Sequence, residues 1–126
     1  MIQVKTYLDK SNIAGIGIFA TEFIPKGTVI WKYNPYFTSK ISVKKISRCT
    51  KDEKKRLDEL AYYWVDKKGN YMIPLDHDRF MNHSRTPNTE RLDDNHEIAN
   101  RDIKGGEEMT VDYRTIIPKE MWASYF

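Results

Sequence analysis

Three stretches carry side chains able to do chemistry. His77 sits between Asp76 and Asp78, with His83 and His96 further along. Imidazole beside carboxylate is a metal-binding combination. No His-x-x-x-His spacing accompanies it, and a single cysteine, Cys49, removes thiolate clusters and internal disulfides. No metal is expected. Ser84 follows His83, and with Asp76 these make up the content of a hydrolase triad. Adjacent Ser and His side chains point apart in most backbones, and no glycine-flanked elbow presents the serine, so this chemistry is set aside. Tyr113 closes the run Gly106-Glu107-Glu108-Met109-Thr110-Val111-Asp112-Tyr113, in which Met109 and Val111 alternate with polar residues. Its phenol needs a hydrogen-bond partner wherever the ring is buried.

Such groups must be held by defined elements. The stretch from Arg79 to Asn88 is too polar for a buried strand and lacks helical apolar spacing. Asn82 and Ser84 divert backbone into turns, Pro87 biases Thr86 toward extended backbone, and Phe80 and Met81 seek burial. An ordered, irregular loop with an apolar anchor is expected. Upstream, the turn cluster Asp9-Lys10-Ser11-Asn12 leads into Gly15-Ile16-Gly17. A dinucleotide fingerprint needs a third glycine and a helix immediately after; a strand follows instead, so these glycines serve tight bending or close backbone approach.

The alternation of Ile2, Val4 and Thr6 predicts a half-buried strand, and Thr28 to Tyr33, Tyr71 to Leu75, Glu97 to Asp102 and Met109 to Tyr113 read as further strands. Glu90 to Glu97 reads as an acidic hairpin turn. Thr50 and Glu53 form a capping box, and Leu57, Leu60, Ala61 and Trp64 fall at helical spacing before Lys67-Lys68-Gly69. One amphipathic helix over about Lys51 to Val65 is expected, its apolar face a core contact. Pro118 opens a short final helix with Met121, Trp122, Tyr125 and Phe126 as its apolar content. One internal echo stands out: Ala20, Ile24, Gly27 and Ile30 match Ala99, Ile103, Gly106 and Met109 at equal offsets, as two copies of a strand-turn-strand unit would. The pattern is mostly β, in the α+β sense.

With 126 residues, the chain is sized for one domain, residues 1–126. No apolar run approaches the roughly 20 residues of a membrane span, and no signal-peptide apolar region opens the chain, so an intracellular location is expected. The net charge of +3 is modest. Lys40, Lys44, Lys45, Arg48, Lys51, Lys54, Lys55 and Arg56 form the one basic concentration, interrupted by Asp52 and Glu53. A solvated surface explains it better than nucleic acid as a primary ligand.

Taken in order, Gly15-x-Gly17, then Arg79-Phe80-x-Asn82-His83-Ser84-x-x-Pro87-Asn88, then Gly106-Glu107-Glu108-x-x-x-Asp112-Tyr113 resemble the SET-domain protein lysine methyltransferases. The length is similar to the minimal, free-standing SET proteins of viruses and bacteria. The resemblance implies a β-clip of small curled sheets, a knot-like threading of the C-terminal segment, and the helix as an insert. It implies methyl transfer from S-adenosylmethionine to a protein lysine, with S-adenosylhomocysteine as product and no metal. Tyr113 would be the active-site tyrosine. Gly15, Ile16, Gly17, Arg79, Phe80, Asn82, His83, Tyr113 and Trp122 would hold or support the cofactor, with Glu107 or Glu108 structural. Tyr71, Val111 and Tyr113 would line the lysine channel, and Val111, lacking a hydroxyl, permits multiple methylation. The location would be cytoplasmic, or nuclear if histones are the substrate.

Two departures from the family pattern follow. Arg114 replaces the glycine that commonly succeeds the Asp-Tyr pair, and no cysteine-rich post-SET segment exists. The aromatic tail, residues 114–126, is the candidate replacement, as a lid or a homodimer contact. Two other functions fit fewer residues: a catalytically silent SET-like peptide-binding module, and a basic nucleic-acid-binding accessory protein.

Overall fold

The computed structural model describes residues 1–59 and 63–124. The β-branched and aromatic runs pair into four small sheets instead of one large one. Strands β1 (Thr6–Lys10) and β2 (Ile16–Ala20) form an antiparallel hairpin. A second sheet has the order β3-β9-β8, from β3 (Val29–Lys32), β8 (Thr89–Asp93) and β9 (His96–Ala99). A third has the order β4-β6-β5, from β4 (Thr38–Ile41), β5 (Trp64–Val65) and β6 (Tyr71–Pro74). The fourth joins β7 (Asn82–His83) to β10 (Thr110–Val111) in parallel, with Asn82 opposite Thr110 and His83 opposite Val111. Ser84 N–H extends that pairing to Val111 O at 3.0 Å. The C-terminal segment is thus laid against the Asn-His-Ser stretch.

The sequence echo is a structural pair. Ile24 and Ile103 exchange both backbone hydrogen bonds at 2.8 Å. On either side, Gly27 N–H donates to Ala99 O at 2.8 Å and Gly106 N–H donates to Ala20 O at 2.7 Å, so the two copies grip each other reciprocally. Both glycines sit at φ 89°, a turn conformation that costs an L side chain about 1–2 kcal/mol. Ala20, Ile30, Ala99, Ile103 and Met109 are all fully buried. Each large apolar side chain so buried contributes about 1.5–3 kcal/mol.

The helix differs from expectation. Two short helices, α1 (Val43–Ser47) and α2 (Lys51–Asp58), replace the single one over 51–65. The Thr50–Glu53 capping box is present in α2, and Leu57 packs half-buried on its apolar side. Leu60 and Ala61 lie outside the described residues. Trp64 and Val65 belong to β5, opposite Met72 and Tyr71. Burial decided this: Trp64 meets Trp31 edge-on, ring centroids 5.1 Å apart, and a strand is what delivers it there. Lys67-Lys68-Gly69 is accordingly a hairpin turn, in which Asp66 Oδ1 accepts from Lys68 N–H and Asn70 N–H at 2.9 Å. The stretch read as an acidic turn, Glu90 to Glu97, is mostly strands β8 and β9, with the turn confined to Asp94-Asn95. Within it, the Arg91 guanidinium lies over Trp31 and Trp64, 5.3 and 5.0 Å from their rings, and reaches Glu97 Oε2 at 3.4 Å. Lys119–Ser124 is a 3-10 helix, and Tyr125 and Phe126 of the expected final helix lie outside the described residues.

Another 3-10 turn, His77–Phe80, leads into β7 and buries Asp78 completely. Neither Asp78 carboxylate oxygen has a hydrogen-bond partner among the described residues. Burial pushes its pKa well up, and repulsion from Glu97 and Asp76 adds to this against the attraction of Arg91 and the Met1 amine. The folded chain therefore holds a proton that the unfolded chain releases near pH 3.9. The associated stability is complete below that pH and is lost as pH rises toward the folded pKa. Urea unfolding from pH 5 to 8 should show Asp78→Asn gaining on the unaltered chain as pH rises; a pH-independent difference would contradict the protonated carboxyl.

Candidate active site

The Ser11–Gly15 turn between β1 and β2 is built by one hydroxyl. Ser11 Oγ accepts from Ile13 N–H at 2.9 Å and Ala14 N–H at 3.2 Å, and Ser11 N–H donates to Gly15 O at 2.8 Å. Gly15 takes φ 46°, and a Cβ there would meet nothing within 4 Å, so its Cα faces open space. Asn82 ties this loop to β7. Its Nδ2 lies 3.0 Å from Ala14 O, 3.4 Å from Ile16 O, 3.1 Å from Ser11 Oγ and 3.2 Å from Glu108 Oε2. All four are acceptors once Ser11 directs its proton to Glu108, which fixes the amide orientation. Asn82 Oδ1 accepts no hydrogen bond from the described residues.

Tyr113 is held at both ends. Its N–H donates to His83 Nδ1 at 3.0 Å, and its phenol, in a largely buried ring, donates to Met81 O at 2.6 Å. The His83 and Tyr113 rings are 5.3 Å apart and tilted by 54°. A ring nitrogen that accepts a backbone N–H is unprotonated, so His83 is in the neutral form. Its pKa is lowered, chiefly by burial; Asp112 opposes this at 3.7 Å, and Arg114 and Arg85 reinforce it. Arg114 explains its own departure from the family glycine. It grips the Asp112 carboxylate through Nε at 2.9 and 3.1 Å and through Nη2, lowering the Asp112 pKa and offsetting that carboxylate's pull on His83.

The sign of the resulting pH effect follows. A histidine with a lowered folded pKa gives stability that is full above about pH 6.5 and is lost as pH falls through the folded value. Protonation there also breaks the Tyr113 N–H bond. Ligand affinity should therefore drop as pH falls below 6.5, with His83 titrating below 6.5 in an NMR pH series. A midpoint at or above 6.5 would contradict this geometry.

These groups converge on one cleft of about 580 Å³, with residues 13–16 on one side and Phe80, Asn82, His83 and Tyr113 on the other. That volume is in the range of small-molecule sites. Six residues expected at the cofactor line it: Gly15, Ile16, Phe80, Asn82, His83 and Tyr113. Three do not. Gly17 is buried behind the loop, Arg79 is exposed on its 3-10 turn, and Trp122 donates to Ile117 O at 3.4 Å while packing on the core. Tyr71 and Val111, expected in the lysine channel, also lie outside the lining. Val111 is fully buried, and the Tyr71 hydroxyl donates to Asp58 Oδ1 at 3.3 Å with its ring stacked on Tyr63. Sequence reasoning missed Ser11, Ile13, Ala14 and the close engagement of Glu108. Only the turn composition around Ser11 offered a signal. Two other hollows, about 540 and 650 Å³, flank α1 and α2 with mixed lysines and acids and gather none of the three motifs.

The cleft suits the expected cofactor. Ile13 and Ile16, each about half exposed, and Phe80 give apolar walls for a purine and a thioether chain, and Asn82 Oδ1 gives an acceptor for an ammonium. Among the described residues, no helix is long and apolar enough to cross a membrane, and no group of three or more His, Cys, Asp or Glu is placed to hold a metal.

Comparison with known proteins agrees with the geometry. The SET domain family model matches residues 15–114. A solved candidate histone methyltransferase of Plasmodium falciparum is similar at 27% identity and TM-score 0.62, over 89% of this chain and 95% of that one. Chaetomium thermophilum Polycomb Repressive Complex 2 bound to an inhibitor is similar in fold at 21% identity and TM-score 0.71, over 95% of this chain and only 17% of that one. A humanized mutant of the same complex gives 23% identity and TM-score 0.70, over 92% of this chain and 16% of that one. No curated protein sequence gives a significant match.

Proposed function

The chain belongs to the SET-domain family, and from that premise we propose that it methylates the side-chain amine of a lysine in a protein substrate, using S-adenosylmethionine. The observation that carries the proposal is the cleft itself. Residues from three distant motifs meet there, with the Tyr113 phenol fixed by Met81 O at 2.6 Å.

S-adenosylmethionine supplies an electrophilic methyl group on a sulfonium sulfur. Asn82 Oδ1 would receive its ammonium, and Ile13, Ile16 and Phe80 its apolar parts. The entering lysine has an ordinary pKa of about 10.4 and arrives protonated. Apolar walls disfavour the ammonium form, as does a neighbouring sulfonium, and each unit of lowering corresponds to about 1.4 kcal/mol. The proton would leave to water, and the free amine would form an N–C bond to the methyl group as its C–S bond breaks, giving a methylammonium and a thioether. Tyr113 aligns the reactants. Its engaged phenol presents an oxygen suited to a cationic centre, and at pKa about 10 a phenol is a poor base at neutral pH. In-line placement is the main demand, and fixed side chains serve it.

The names borne by the similar structures make histones the first substrates to try. Labelled S-adenosylmethionine incubated with a histone and cell-lysate panel should deposit label recovered as methyllysine. Tight cofactor binding with no transfer to any protein would favour a silent peptide-binding module instead.

A further inference from the structure

Glu108 is a half-buried carboxylate with no cation in ion-pair range among the described residues. Buried charges are ordinarily paired. Two uncharged donors serve this one: Ser11 Oγ at 3.0 Å and Asn82 Nδ2 at 3.2 Å, both to Oε2. The chain also makes room for it. A Cβ at Gly17 would come within 2.7 Å of Glu108 Cδ and 2.8 Å of Oε1, so any side chain there would push the carboxyl from its place against β2. Its backbone is fixed as well, bridged to Phe19 and accepting from Asn88 Nδ2 at 2.8 Å. Ser11, which donates to the carboxylate, is the same hydroxyl that accepts from Ile13 and Ala14 of the cleft loop. Asn82, the other donor, lines the cleft.

We infer that Glu108 is a positioning residue that fixes the ligand loop of residues 11–17 and places a negative charge behind the cleft, favouring a cationic ligand. The inference rests on the proposed use of S-adenosylmethionine. That cofactor carries a sulfonium, an ammonium and a carboxylate, for a net charge of +1; S-adenosylhomocysteine has lost the sulfonium and is neutral overall. A charge one hydrogen bond behind the cleft wall distinguishes the two, whereas a purely structural residue does not. The same charge weakens the hold on product relative to cofactor, which favours turnover.

Calorimetric titration of both compounds into the full chain, Glu108→Gln, Glu108→Ala and Ser11→Ala tests this. Glu108→Gln keeps the size and an acceptor oxygen but not the charge. It should weaken S-adenosylmethionine about tenfold and S-adenosylhomocysteine about twofold or less, the scale of one screened charge. Glu108→Ala frees the loop and should weaken both compounds by about tenfold or more. If that variant does not fold, Ser11→Ala, which cuts the same link from the loop side, should weaken both. Equal affinities for S-adenosylmethionine across the full chain and the variants overturn the inference alone, as does an unchanged cofactor-to-product ratio in Glu108→Gln. No S-adenosylmethionine binding by the unaltered chain overturns the functional proposal and this inference with it.

Discussion

Tyr113→Phe should lower kcat for methyl transfer by about 10²-fold, the scale of removing one preorganised polar group at a developing charge. The substitution deletes a single oxygen. Its stability effect is bounded because the lost bond to Met81 O, 2.6 Å in the unaltered chain, leaves one carbonyl without that donor, at a cost of about 1–3 kcal/mol. The ring keeps its contact with His83, and the backbone N–H bond to His83 Nδ1 needs no hydroxyl. Cofactor binding should therefore survive while turnover does not. Calorimetry for cofactor affinity and a methyl-transfer assay for kcat separate the two effects, and undiminished turnover would remove Tyr113 from the chemistry.

Asn82→Ala should act on the other half of the cycle. Its Nδ2, with two N–H donors, lies within 3.4 Å of four acceptors in two separate segments, the 11–17 loop and Glu108, one of them a carboxylate. A hydrogen bond to a charged group is worth about 1.5–3 kcal/mol, so cofactor affinity should fall by roughly 10- to 100-fold. The fold should persist, because residues 12–16 are exposed and the core contains none of them. Asn82→Asp is the sharper control. It keeps the shape but replaces the donor by an acceptor 3.2 Å from Glu108 Oε2, so the ties to Ala14 O and Ile16 O are lost and affinity should fall below that of the unaltered chain despite the added negative charge. Binding at full strength by Asn82→Ala with an intact thermal transition would detach Asn82 from the ligand.

What the sequence revealed and what it hid have different physical causes. The motif around Asn82 was legible in part: its polar, turn-forming side chains marked a mostly irregular path, but the two-residue strand β7 within it, paired with β10, was not foreseen. The Ala20 and Ala99 echo was legible because two units that grip each other reciprocally need the same small, apolar and turn residues in the same order. The Ser11–Glu108 link was not legible, since the partners stand 97 residues apart and no local pattern records their meeting. Nor was the close approach of the Glu108 carboxyl to Gly17, which a Cβ at that position would displace. The end of α2 was misplaced because Trp64 also satisfies helical spacing; only its burial against Trp31 identifies it as a strand residue. The stretch Glu90 to Glu97 reads as an acidic turn, yet within it Glu97 is fully buried and meets Arg91, whose guanidinium lies over two tryptophans.

The most direct single measurement is an NMR experiment with S-adenosylmethionine labelled with carbon-13 at the transferable methyl. Bound to the unaltered chain, that methyl should show magnetisation transfer to the Tyr113 ring protons. Contacts confined to the α1–α2 hollows, at Ile46 or Leu57, or no bound signal at all, would contradict the assignment of this cleft as the methyl-transfer site.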